Sequence, residues 1–170
     1  LVHHVIALLS LFVGLKFGFL LWAMFVSMMF VRGIYQFSRI WVDDVTASYA
    51  ALAAPFCFSF VEALHVFGQL PSITGSTFLL NALPEFYYYF RHHRYRYLIR
   101  GLSFLAITTT AHHVTTIFGM VFFIAPTIGL AVIDRAIERA GSLKELKLKT
   151  FLNEVLRTRP RAGIFGGIAI

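Results

Sequence analysis

Residues 106–130, AITTTAHHVTTIFGMVFFIAPTIGL, set the tightest limit on what this chain can fold into. The run is long and apolar, yet its middle holds the adjacent pair His112 and His113 and five threonines, Thr108, Thr109, Thr110, Thr115 and Thr116. A soluble core helix has no use for so much apolar length. A simple membrane anchor has no use for the polar knot. The stretch reads as two membrane spans meeting at a polar corner, with the two histidines at the corner.

Composition points the same way. The 170 residues are 58% hydrophobic and only 14% charged, where soluble domains sit near half apolar and about a quarter charged. The expected fold class is therefore all-α: a polytopic membrane helix bundle of five to six transmembrane helices with a basic amphipathic surface helix. The single cysteine, Cys57, excludes an internal disulfide and a cysteine-based metal site; in its apolar run it reads as a small packed side chain. The net charge of +7 would suit nucleic acid, but the basic residues are placed as membrane topology places them, and no nucleic-acid partner is expected. The chain opens at Leu1 with no basic n-region and closes on an apolar GGIAI, so it reads as an internal piece of a longer protein.

Taken in order, residues 5–31 would measure roughly 40 Å as one helix, long for a hydrocarbon core of about 30 Å. Gly14, Lys16 and Gly18 mark a break, because a lysine in mid-membrane costs several kcal/mol. The spans then fall at 17–31, 45–61, 73–90, 98–111 and 114–133. Asp43 and Asp44 suit a helix start, where carboxylates favour the positive end of the helix dipole. Pro55 and Pro84 are expected to kink their spans, Pro126 lies inside the last span, and Gly68 with Pro71 are expected to break helix between two of them. Tyr87, Tyr88 and Tyr89 read as an interfacial aromatic belt. The bundle occupies 1–133. Residues 134–161 alternate leucines with Lys, Arg and Glu at helical spacing and read as a surface amphipathic helix; 162–170 look like the start of a further span.

These spans put 14 of the 15 Lys and Arg on one side and leave only Lys16 on the other. The basic side is cytoplasmic by the positive-inside rule. The Glu62–Pro71 knot and the His112 corner share the opposite face.

The titratable residues of that face are the candidates for chemistry. Glu62, His65 and Gln69 are spaced by three and four, so one helical face would carry all three and could orient a sugar or a phosphate. His112 and His113 lie where ionisable residues in a membrane are functional by default; they could cap helix ends or bind phosphate or metal. No HxxxH or HExxH spacing occurs, which excludes membrane di-iron oxygenase and zincin patterns. His92 and His93 sit in a basic turn suited to lipid phosphate.

The order of spans, with Gly68-Gln69-Leu70-Pro71 after one outer loop and Ala111-His112-His113-Val114-Thr115-Thr116 two spans later, resembles membrane glycosyltransferases of the C superfamily. The likeness is to bacterial and archaeal proteins related to the six-pyruvoyl-tetrahydropterin-synthase-related membrane domain, over roughly residues 17 to 134. The resemblance implies an integral plasma-membrane enzyme using a polyprenyl-phosphate-linked sugar at the non-cytoplasmic face. It implies Glu62 and His65 as catalytic groups, and Gln69, His112, His113 and Thr116 as substrate contacts. A divalent cation is the cofactor such chemistry could use; the partners are membrane lipids, the lipid-linked sugar and further protein subunits. The aspartate loop that follows the first span in that family has no counterpart here. Two other classes stay open: a non-catalytic membrane subunit binding lipid or protein, and a haem or copper redox protein, for which the further histidine motif of the oxidases is missing.

Overall fold

The computed structural model describes residues 1–57, 61 and 69–140. Within them every regular element is helical: α1 (Val2–Val13), α2 (Leu15–Ser38), α3 (Asp44–Ala53), α4 (Leu70–His92), α5 (Tyr95–Ala111), α6 (His113–Gly119) and α7 (Ala125–Ala140). A 3₁₀ turn, Ala54–Phe56, follows α3, and a π turn, Met120–Ile124, joins α6 to α7.

Two helices are long and apolar enough to cross a membrane, Leu15–Ser38 with 24 residues and the joined helix His113–Arg139 with 27. The first expected break is at Gly14, whose φ of 80° and ψ of 159° belong to a region essentially closed to other residues. There the chain folds back, and α1 packs along α2: a Cβ on Gly18 would lie 3.0 Å from the Ser10 hydroxyl oxygen.

Helix α4 is the axis of the bundle. Sixteen of its 23 residues are buried, with α5 antiparallel against it and α2, α6 and α7 around it. The neighbours come close because they are small where they touch it. A Cβ on Gly101 would sit 2.5 Å from the Phe86 ring, and one on Gly119 2.6 Å from Leu79. Its own polar residues, Thr74, Thr77, Asn81 and Glu85, recur at three and four and form one stripe, and all four are buried. Asn81 donates to the carbonyls of Met29 (2.8 Å) and Thr77 (2.9 Å) and accepts from the Arg32 guanidinium. Trp22 Nε1 donates to Thr74 Oγ1 at 3.3 Å. The outside of the bundle also carries large apolar side chains: Leu11, Phe12, Phe17, Ile117, Phe118 and Phe122 are all exposed.

Several expectations change in detail. The 45–61 segment is not one straight helix, since α3 stops at Ala53 and Pro55 sits in the 3₁₀ turn. Cys57, leaving that turn, is exposed rather than packed. The break expected around Gly68 and Pro71 falls at Gln69, and Pro71 lies in the first turn of α4, where no N–H is needed from it. Tyr87 and Tyr89 are core residues, 1% and 4% exposed, not an interfacial belt, because they lie on the most enclosed helix. Residues 134–140 continue α7; residues 141–170, and with them the rest of the basic segment and the further span, lie outside the described residues. One expectation holds at the residue level. Asp43 caps α3, accepting from the N–H groups of Val45 and Thr46, and the Thr46 hydrogen bonds hold its carboxyl below the usual range. The π turn lies just before Pro126, where a regular helix would press the proline ring on the Phe122 carbonyl.

The Phe86 contact makes a test. Gly101→Ala should destabilise the protein by about 1–3 kcal/mol through overpacking. Gly129→Ala, which meets nothing within 4 Å, should be neutral or stabilising by up to about 1 kcal/mol. Thermal unfolding in detergent measures both.

Candidate functional site

Helix α5 ends because the backbone leaves the helical region at His112, with φ −157° and ψ 92°, and α6 begins at His113. The imidazole makes the turn tolerable. His112 Nδ1 accepts from the Thr115 N–H at 3.3 Å and lies 2.7 Å from the Thr115 hydroxyl. It therefore caps α6, as Asn or Ser does at other helix starts. Gly75 of α4 lies beneath the corner, where a Cβ would come within 3.1 Å of His112 Cβ and 3.4 Å of Thr115 Cβ. The Thr116 hydroxyl donates back to Thr109 Oγ1 of α5 at 3.1 Å, which closes the bend.

At the corner the two imidazoles are neighbours, ring centroids 6.3 Å apart and 33° between planes. Their surroundings differ. His112 is half-buried and engaged as a cap, and His113 is exposed, so of the pair His113 is the one presented to a ligand. Gln69 is exposed at the start of α4 and makes no capping bond with its side chain. It lies six residues, roughly 9 Å along the axis, beyond Gly75. Gln69 and the corner thus share one end of the bundle. The other end gathers the basic segments: Arg39 pairs with Asp44, Arg91 with Glu138, and Trp41 lies 6.3 Å from the Tyr87 ring. Glu62 and His65 lie outside the described residues.

Next to the corner is a crevice of about 450 Å³ between α2, α4 and α6. Phe30, Ile34, Leu80, Leu83, Phe118 and Phe123 give it apolar walls, and Ser76 and Thr115 add hydroxyls. Thr115 belongs both to this crevice and to the His112 cap. In the sequence it was only one of five threonines; its spacing of three from His112 was the available signal. Among the described residues no three His, Cys, Asp or Glu side chains stand together to hold a metal ion. Comparison with protein-family models, with curated proteins and with solved structures returns no match.

The two histidines should separate under mutation. His112→Ala removes a cap and should cost about 1 kcal/mol of stability. His113→Ala, at an exposed position, should change it by no more than about 0.5 kcal/mol. Chemical or thermal unfolding in detergent distinguishes them.

Proposed function

We propose that the chain is part of an integral membrane protein that holds a polyprenyl-phosphate-linked sugar at the non-cytoplasmic face and transfers the sugar there. In this reading it is a five- to six-span bundle of a bacterial or archaeal plasma membrane, with α2 and the joined helix 113–139 facing lipid and the α4–α5 hairpin crossing in their shelter. The observation that carries it is the apolar crevice ending at the His112 corner. Branched isoprenoid units suit its aromatic and aliphatic walls. The phosphate would then lie at His113, His112 and Thr116, with the sugar toward Gln69.

Sugar transfer needs a base for the acceptor hydroxyl and positive charge for the leaving phosphate. Glu62 is the proposed base and His65 its partner, in the segment leading into Gln69. Among the described residues this end holds Lys16 but no arginine, so lysine, imidazolium or a divalent cation would supply the charge. The described residues alone do not form a site for such a cation, and no step is routed through one. A second reading, a subunit that holds lipid or partner proteins without catalysis, draws support from the five described carboxylates. Asp43, Asp44, Glu85, Asp134 and Glu138 all lie toward the basic end, away from the corner.

The test uses the full-length protein in lipid nanodiscs with a polyprenyl-phosphate-linked sugar and an acceptor. Glu62→Gln and His113→Ala should abolish transfer without loss of expression. Ser76→Phe, which fills the crevice, should weaken lipid binding at least about tenfold, the equivalent of one good contact. Binding lost with Ser76→Phe but no transfer in the wild type supports the non-catalytic subunit. Transfer at full rate in both Glu62→Gln and His113→Ala ends the transferase proposal.

A further inference from the structure

Near the basic end, away from the corner, the stripe on α4 finishes at Glu85. Its side chain is 8% exposed, and Oε2 is buried without a hydrogen-bond partner. Arg100 of α5 and Arg32 of α2 stand near it: Gly101, next to Arg100, packs on the Phe86 ring, and Arg32 reaches Asn81, one turn before Glu85; Arg96 lies one turn before Arg100 on α5. None of them forms an ion pair with it. Arg32 instead donates to Asn81 and lies over the Phe104 ring at 5.5 Å. Arg96 donates to the Tyr97 hydroxyl at 2.9 Å and lies over that ring at 4.7 Å. Arg100 is exposed. Residues 96, 100 and 104 are four apart on α5, so one face of that helix carries both arginines and Phe104.

A buried carboxylate oxygen left without a donor costs about 1–3 kcal/mol or more. Three guanidiniums beside it could have removed that cost by pairing and do not. The group gathers three guanidiniums around one carboxyl, which suits an incoming anion. The free oxygen suits a hydroxyl brought in by the same molecule. The exposed apolar surface of α2 runs up to Arg32, so a molecule reaching these arginines from the side would arrive along lipid.

We propose that Arg32, Arg96, Arg100 and Glu85 form a binding site for an anionic phospholipid headgroup that carries free hydroxyls, of the phosphoglycerol kind. The guanidiniums take the phosphate oxygens, where bidentate geometry favours arginine. Glu85 accepts from a headgroup hydroxyl and so selects against a bare phosphate. The site stands apart from the sugar-transfer reading, which concerns the opposite end, and either can fail alone.

The experiment is native mass spectrometry of the full-length protein, released from neutral detergent after addition of phosphatidylglycerol, phosphatidic acid or phosphatidylcholine. Phosphatidylglycerol should be retained and phosphatidylcholine should not. Arg100→Gln should weaken phosphatidylglycerol binding about tenfold or more, as expected for loss of a hydrogen bond to a charged group. Arg94→Gln, exposed in the same turn, should change it less than about twofold. Glu85→Leu should keep or raise the melting temperature, because it removes a buried polar atom without a partner, while erasing the preference for phosphatidylglycerol over phosphatidic acid. Equal losses in Arg100→Gln and Arg94→Gln would reduce the effect to diffuse surface charge and overturn the site. So would an unchanged lipid preference in Glu85→Leu, or displacement of the lipid by equimolar glycerol 3-phosphate.

Discussion

The hydrogen bonds of Asn81 hold the described structure together. One buried amide accepts from Arg32 and donates to Met29 and to its own helix at Thr77. It thereby ties α2 to α4 at the middle of both. A buried amide left unsatisfied is expensive, and the cost rises where water is scarce. The bond is therefore a constraint as much as a gain: α2 must approach where Gly33 permits it, since a Cβ there would lie 2.8 Å from Asn81 Nδ2. The remaining packing follows. With α2 fixed, Trp22 reaches Thr74 and the α1 hairpin lies over the start of α4, while α5 and the joined helix close the other sides.

This gives a bundle with a polar stripe set into an apolar core, and with many large apolar side chains exposed on its surface. It also explains why, among the described residues, two helices are long and apolar enough to cross a membrane. Helix α4 has the length, but its Thr, Asn and Glu residues, all buried, lower its hydropathy. The polar stripe is enclosed by α2 and α5. Its two ends differ: the Thr74 end leads to Gly75 and the His112 corner, and the Glu85 end leads to the arginines. The two proposed sites take up these ends.

Much of this was legible residue by residue. Gly14 as a break, Asp43 as a cap, and His112 as the division between two helices were all readable, because each is local chemistry with few alternatives. The clustering of basic segments at one end was readable from charge counting and appears in the structure as the Arg39–Asp44 and Arg91–Glu138 pairs. What could not be read was enclosure. Tyr87 and Tyr89 look like interfacial aromatics until α4 is known to be the axis. Asn81 and Glu85 look like minor interruptions of a span until their stripe is seen to face α2 and α5. Of the candidate site, the shared end of Gln69 and the histidines was foreseeable, and the difference between His112 as cap and His113 as exposed group was not. That difference depends on a backbone torsion and on Thr115, neither of which spacing alone determines.

The account stands on the Arg32–Asn81 bond, and a double-mutant cycle measures it. Stability of the wild type, Arg32→Met, Asn81→Leu and the double variant, followed by reversible unfolding in detergent, gives the coupling between the two side chains. A coupling of about 1.5–3 kcal/mol is predicted for a part-buried hydrogen bond to a charged group. Additive effects, within about 0.5 kcal/mol, would mean that the two helices are held by something else and would contradict the arrangement described.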